Sequence, residues 1–488
     1  MNIFNTISFI LGNELIEIDF SKSELKPTTT VLNFLRSYPE FKGVKEGCAE
    51  GDCGACTIVL AELNDENKLR YYAVDSCLLF LPMIHGKQVL TIEHLAKRNG
   101  KETILHPVQK AIVDNDATQC GYCTPGFAMS IFALYKNNFK PSKEIVLDSL
   151  TGNLCRCTGY RPLIDAAISA CKNNSNDHFS ETEYEIVKQL WNISKNQSSI
   201  IIEKNQQFYA KVFSLTEALR FKKMYKNAII ISGATDTALK VSKMKENIQE
   251  IVDISSIQSL KYFREFENKY LIGSGICLEE LKNETKEKIP ALHKILCVFG
   301  SKQIRNLATI GGNLGSASPI GDTLPVLIAH EAVILVRNLQ TTRKIPIGDF
   351  VKSYRKTSLQ NIEIILEIII PIPAKGTIIN SYKVSKRKDL DISTVSACFS
   401  LKLSSKDIVE KIILAYGGMA STPKRAIIAE KFLIGNKWEL ENIKSAMEII
   451  SKEFTPISDA RASENFRRLS SKNLLLKFFN DVNAGDIK

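Results

Sequence analysis

Three cysteines crowd one short stretch. Cys48, Cys53 and Cys56 run C-x4-C-x2-C, and Cys77 follows further along. Four thiolates in that spacing suit a 2Fe–2S cluster. The loop must curl so that three sulfurs face one small anionic group, with backbone N–H groups turned toward them. Gly47, Gly51 and Gly54 are expected to supply the positive φ angles this needs. A zinc site or a disulfide loop is the alternative, but zinc sites usually use C-x2-C pairs. A second set follows as Cys120-x2-Cys123 and Cys155-x-Cys157. Taken alone it could hold zinc or a cluster. Beside the first loop, a second cluster is the better reading. Both pairs are expected just ahead of helices, where unpaired N–H groups favour an anion. Cys171, Cys277, Cys297 and Cys398 stand alone in the sequence and read as core or surface residues.

The elements around these cysteines are legible. Residues 3–20 read as a hairpin turning at Gly12-Asn13, with Ile16, Ile18 and Phe20 alternating against Glu17 and Asp19. A short helix near Val31 precedes the loop, and strands at Thr57–Leu60 and Arg70–Val74 follow it. This order suits a small β-grasp domain. Residues 106–171 change character. Pro107 opens a helix at its first position, and Arg161-Pro162 opens another. Thr124, ahead of Pro125, is the expected N-cap of another helix, and Ser142 of a fourth. Residues 172–200 are rich in Asn, Ser, Lys and Gln and read as a linker, with one short helix near Glu183 to Trp191. From Ile200 strands and helices alternate, and the last hundred residues read as a separate α+β unit.

With 488 residues, three or four domains are expected. The composition is that of a globular protein, 44% hydrophobic and 24% charged. No apolar run reaches the ~18 residues of a membrane helix, and the start lacks the pattern of a secretory signal. A cytoplasmic location is expected, where cysteines serve as ligands more often than as disulfides. The net charge of +11 is spread along the chain, and no nucleic-acid-binding pattern accompanies it.

Two stretches could approach a phosphate-bearing ligand. Ile229–Ile231 runs into Ser232-Gly233-Ala234-Thr235-Asp236, a buried strand ending in a small-residue turn. Many αβ turns look the same. Thr309 to Pro319 holds three glycines and several small residues, which suits either close ligand approach or an irregular surface loop. Gly273-Ser274-Gly275 lacks the third glycine of a Rossmann fingerprint. The six histidines are scattered, so no catalytic triad is assigned and no catalytic residue is named.

The motifs CAEGDCGACT (48–57), QCGYCTPGF (119–127), GNLCRCTGYRP (152–162), SKQIRNLATIGGNLGSASPIGDTLP (301–325) and GGMASTPKRA (417–426) resemble those of the molybdenum hydroxylases of the xanthine dehydrogenase family, in their small iron–sulfur/flavin subunit. The resemblance implies a multidomain α+β chain. Its parts would be a ferredoxin-type 2Fe–2S domain (1–92), a four-helix 2Fe–2S domain (93–172), a linker (173–199), an FAD-binding domain of the carbon monoxide dehydrogenase/vanillyl-alcohol oxidase type (200–378) and a C-terminal α+β domain (379–488). Cys48, Cys53, Cys56 and Cys77 would hold one cluster, and Cys120, Cys123, Cys155 and Cys157 the other. Ile230, Ile231, Ser232, Gly233, Ala234, Thr235, Asp236 and Thr237 would cradle the FAD pyrophosphate. Phe299 would lie against the isoalloxazine, with Thr309, Asn313, Asp322, Ile365 and Lys383 as further flavin contacts. Ala234, and the stretch Lys386-Arg387-Lys388-Asp389, depart from the commoner family forms. The implied activity is electron relay. Electrons would leave a molybdopterin centre on a large partner subunit, cross both clusters, and reach FAD and NAD+ while hypoxanthine or xanthine is oxidised to urate. The implied assembly is a heterotetramer of two small and two large subunits, without nucleic acid or membrane. The same relay could serve an aldehyde or another N-heterocycle. A zinc-bound scaffold is the reading from another class.

Overall fold

The computed structural model describes residues 4–100, 102–172, 177–195 and 198–485. Of the expected linker, residues 173–176, 196 and 197 lie outside these, as do residue 101 and the outermost residues 1–3 and 486–488. The chain forms two compact units. One comprises residues up to 257 together with 301–308, and the other residues 258–300 with 309 onward.

The first unit begins with a five-stranded sheet. Its order is Glu14–Asp19, Thr6–Leu11, Gln88–Leu90, Thr57–Leu63, Leu69–Asp75. Only the pairing of Thr6–Leu11 with Gln88–Leu90 is parallel. The hairpin turns at Gly12, whose φ of +62° suits a residue without Cβ. Thr57–Leu63 is buried along most of its length because both faces are covered. Ile58 and Leu60 face one core, with Phe9 and the Val31–Ser37 helix. Val59 and Ala61 face the other core, filled by Phe127, Ile131 and Phe132 of the Thr124–Asn137 helix. Period-two alternation thus welds the sheet to the helices Pro107–Asp114, Thr124–Asn137, Lys143–Leu150 and Arg161–Ala170.

The expected short helix near Glu183 is longer, spanning His178–Ser194. It buries Ile186 and Leu190 against Ile10, and that apolar stripe carries it through a polar composition. Thr124 is not the N-cap expected of it. Cys123 takes that position, and the Thr124 hydroxyl pairs with that of Thr118 at 2.7 Å. A second sheet orders Ile229–Ile231, Glu250–Asp253, Gln207–Lys211 and Ile200–Lys204, and its first two pairings are parallel.

The second unit holds an antiparallel sheet of Phe263–Phe266, Lys269–Gly273, Ile364–Pro371, Val333–Arg337 and Thr342–Pro346. A further sheet, Thr377–Val384, Val395–Leu403, Val409–Gly417 and Lys424–Arg425, is backed by the helices Leu440–Glu453 and Glu464–Asn483. Phe399, Tyr416 and Phe478 meet edge-on in its core. The glycine-rich stretch is no irregular loop. Thr309 caps a helix, Ile310–Ser316, by accepting the Gly312 N–H at 3.1 Å, and Ala317 ends it in the left-handed region. Among the described residues no helix is long and apolar enough to cross a membrane.

Candidate functional site

The first cysteine loop curls as its spacing requires, with one difference. Gly51 and Gly54 take φ of +79° and +65°, but Gly47 does not have a positive φ; Ala49, at +57°, does instead. Gly47 is small for another reason: a Cβ there would stand 2.8 Å from the Cys53 sulfur. Backbone N–H groups of Glu50 and Asp52 point at the Cys48 sulfur, each at 3.4 Å. The Cys53 thiol, and behind it the N–H groups of Glu50, Asp52 and Cys53, hold the Cys48 thiol down to about 5, against the cost of burial. Cys56 and Cys77 are buried and face each other; the Cys77 contact and burial together push the Cys56 thiol up. The thiols therefore meet as two pairs, Cys48 with Cys53 and Cys56 with Cys77.

The second set repeats this arrangement. The Cys120 and Cys157 sulfurs lie 3.6 Å apart, and Cys123 faces Cys155. Burial opposes ionisation of Cys155, but the Thr158 hydroxyl (3.1 Å) and N–H (3.4 Å) both donate to its sulfur, and its thiol sits below the ordinary range. Two thiols for each of two metal ions is what a binuclear cluster requires, and inward-turned N–H groups suit its anionic sulfurs. Both donor sets fit that group.

The two loops touch. The Leu154 N–H donates to the Cys53 carbonyl at 3.0 Å, so one hydrogen bond joins a cysteine of the first set to the neighbour of Cys155 in the second. Asn153 braces the contact. Its Nδ2 donates to the Gly54 carbonyl at 3.1 Å, and its Oδ1 accepts from Ser130 at 2.6 Å and Gln303 at 2.9 Å. Gly126 presses against the same carbonyl: a Cβ there would meet the Gly54 oxygen at 2.1 Å. Asn153, Ser130, Gln303 and Gly126 were not identified from sequence. Gly126, Asn153 and Gln303 lie inside the motifs quoted above and Ser130 just beyond one, but nothing local marks the contacts they make.

The expected flavin residues fall in both units. In the first, Ile230 and Ile231 end a strand at the carboxyl edge of parallel pairings, and Ser232 to Asp236 turn into a helix beginning at Thr237. Ala234 holds φ +57°. Gly233 is required by the protein itself, since a Cβ would strike the Leu307 carbonyl oxygen at 1.8 Å. In the second unit, Gly312 and Gly315 share one exposed face of the Ile310–Ser316 helix. A Cβ at Gly312 would meet only Thr309 Oγ1 at 3.1 Å, and one at Gly315 only Ile365 Cδ1 at 4.0 Å. That face is a side-chain-free surface a ligand could approach, which fits a flavin. Asn313 accepts the Thr323 hydroxyl. Asp322 is committed within the protein: it accepts from Ser393 at 2.6 Å and pairs with Lys383 at 3.0 Å. Lys383 also donates to the Val298 carbonyl at 2.8 Å, which fixes the residue before Phe299.

Three family models match this chain. Residues 91–168 match a 2Fe-2S binding domain, 203–373 an FAD binding domain in molybdopterin dehydrogenase, and 380–482 a CO dehydrogenase flavoprotein C-terminal domain. The chain belongs with the molybdenum hydroxylases, as their iron–sulfur and flavin portion. Among curated relatives, xanthine dehydrogenase of Emericella nidulans is 30% identical over 98% of this chain and 39% of its own length. Human aldehyde oxidase is 27% identical over 97% of this chain and 39% of its length. The chain thus spans about two fifths of the molybdenum hydroxylases it matches. A chain of carbon monoxide dehydrogenase from Hydrogenophaga pseudoflava aligns at TM-score 0.53 and 22% identity, covering 56% of this chain and 96% of that one. A chain of quinoline 2-oxidoreductase from Pseudomonas putida 86 aligns at 0.53 and 22%, covering 57% and 96%. At that identity the likeness is one of fold.

Proposed function

We propose that this chain is the electron-relay part of a xanthine dehydrogenase, linking a molybdopterin centre on a partner subunit to FAD and NAD+. The contact that carries the reading is the Leu154 N–H on the Cys53 carbonyl. It couples the two thiol sets through one hydrogen bond and one peptide unit. The clusters would supply one-electron carriers, and the flavin an exchange between one- and two-electron chemistry. Cys48, Cys53, Cys56 and Cys77 would hold the first cluster, and Cys120, Cys123, Cys155 and Cys157 the second. The chain's own part is to set distance and order, which the Asn153 brace does. In the first unit the turn 230–237 would take the FAD pyrophosphate; in the second, taken by itself, the face of Gly312 and Gly315 would be open to the flavin, with Lys383 and Asp322 fixing the Val298 carbonyl beside Phe299.

The partner reading has support on the helical surface. Cys120 and Cys157 are exposed, and Tyr122, Leu154 and Tyr160 beside them expose large apolar side chains. Ile104, Leu105, Val113, Ile145 and Leu147 are exposed in the same helical part. A molybdopterin-bearing subunit seated there would cover them. The match to human aldehyde oxidase favours a second reading, in which the same relay serves a partner that oxidises aldehydes.

The test is the Cys155→Ser variant, assembled with the large subunit. Substrate oxidation linked to NAD+ reduction should stop. Electron flow from NADH to an artificial dye should persist, because it starts and ends at the flavin. Equal loss of both activities, in a variant shown to be folded and flavin-loaded, refutes the proposed order. Oxidation of xanthine by this chain alone refutes the two-subunit assignment.

A further inference from the structure

Cys297 has a partner that sequence inspection did not reveal. It caps the C-terminus of the Pro290–Leu296 helix, one turn after His293. Its sulfur lies 3.3 Å from His293 Nε2. The other ring nitrogen, Nδ1, lies 2.7 Å from the Lys282 carbonyl oxygen. A carbonyl can only accept, so Nδ1 carries the hydrogen and Nε2 turns its lone pair to the thiol. The carbonyl is itself held in place. It accepts the Thr285 hydroxyl at 3.2 Å, and the Lys282 side chain pairs with Glu279 at 2.8 Å. A nucleophile, a base within reach, and a third group that fixes the base's tautomer form the arrangement that activates cysteines. Cys297 is exposed to solvent and His293 is half-buried. The thiol is therefore open to a reagent while its base stays ordered.

We propose that Cys297 is a reactive thiol, activated by His293, that undergoes exchange with low-molecular-weight disulfides. His293 Nε2 takes the thiol proton. The Cys297 sulfur attacks one sulfur of the disulfide, a new S–S bond forms, the old one breaks, and the second half leaves as a thiolate that takes up a proton. The oxidant is the disulfide itself, and the product is a mixed disulfide that an added thiol reverses. This modification site is separate from the cluster cysteines and lies one residue before Val298, whose carbonyl Lys383 holds.

The test uses the intact flavin-loaded chain, with peptide mapping to assign each labelled cysteine. Under limiting iodoacetamide at neutral pH, Cys297 should be alkylated about tenfold faster than N-acetylcysteine in the same tube, since an ordinary thiol is only a few per cent thiolate there. Oxidised glutathione should give one adduct on Cys297, released by dithiothreitol. His293→Asn should slow alkylation about tenfold, and Cys297→Ser should abolish the adduct. Alkylation of Cys297 no faster than N-acetylcysteine overturns the proposal. So does an unchanged rate in a His293→Asn protein that keeps its flavin. If that variant fails to fold, the wild-type comparison decides alone.

Discussion

Gly126→Ala sets two rules against each other. Gly126 lies in the Thr124–Asn137 helix, where alanine is favoured over glycine by about 1 kcal/mol. Propensity alone predicts a more stable protein. The structure predicts the reverse. The added Cβ would stand 2.1 Å from the Gly54 carbonyl oxygen and 3.1 Å from Asn153 Nδ2. An ordinary carbon–oxygen contact needs more than 3 Å, so helix and loop must part by about 1 Å. Neither side yields easily. The obstacle is backbone, in a loop whose Gly54 already holds φ +65°. Overpacking of this kind costs about 1–3 kcal/mol, which leaves a net loss of up to about 2 kcal/mol after the helix gain. The same displacement strains the Leu154–Cys53 and Asn153–Gly54 hydrogen bonds that join the two thiol sets. Urea unfolding followed at the cluster absorbance measures the stability, and electron paramagnetic resonance of the reduced protein reports the clusters' interaction. Loss of stability with altered cluster signals is expected. A variant about 1 kcal/mol more stable with unchanged signals refutes the contact.

Three other outcomes are expected. Cys53→Ser should remove one of two electron paramagnetic resonance signals and Cys155→Ser the other; loss of the same signal in both would undo the two-set assignment. Gly312→Val should keep iron and lose FAD, because its Cβ meets only the Thr309 hydroxyl, at 3.1 Å, while the added side chain fills the open helix face, and full flavin occupancy would show that face to be uninvolved. Asp177 is buried, which opposes its ionisation, but hydrogen bonding from His106 and the charge and hydrogen bonds of Lys136 hold its carboxyl down to about 2. A carboxylate depressed in the folded state contributes stability that is fully present above about pH 4 and lost as pH falls toward 2, so Asp177→Asn should cost about 2 kcal/mol at pH 7 and progressively less below pH 4. Urea unfolding of both proteins across that range checks the sign.

The sheet and helix order around the cysteines was legible because local signals agreed there. Alternation in the hairpin, Pro107 and Pro162 at helix starts, and Ser142 as a cap each act within a few residues of themselves. The misread positions depend on a distant neighbour. Thr124 has the chemistry of an N-cap but spends its hydroxyl on Thr118. Gly47 looked like a conformational glycine and proves to be a steric one, because the Cys53 sulfur returns over it. Within the polar stretch, His178–Ser194 forms a helix because Ile10, far away in sequence, receives Ile186 and Leu190.

The same distinction divides the candidate sites. The first thiol set is written locally, since three of its four ligands share one loop, and the second as two short pairs; the family motifs name both. What joins the sets is not local. The Leu154–Cys53 bond arises because Gly54 and Gly126 both lack side chains and the two backbones can close together. Each glycine alone reads as a turn or a weak helix position, and only their meeting gives either a purpose. Asn153 then has one carbonyl to hold and two donors to accept, which makes it a brace and not a surface amide. Any electron transfer between the two thiol sets would cross that junction. Its two halves lie nearly a hundred residues apart in sequence, so a change at Gly126, itself no thiol ligand, should disturb both thiol sets at once.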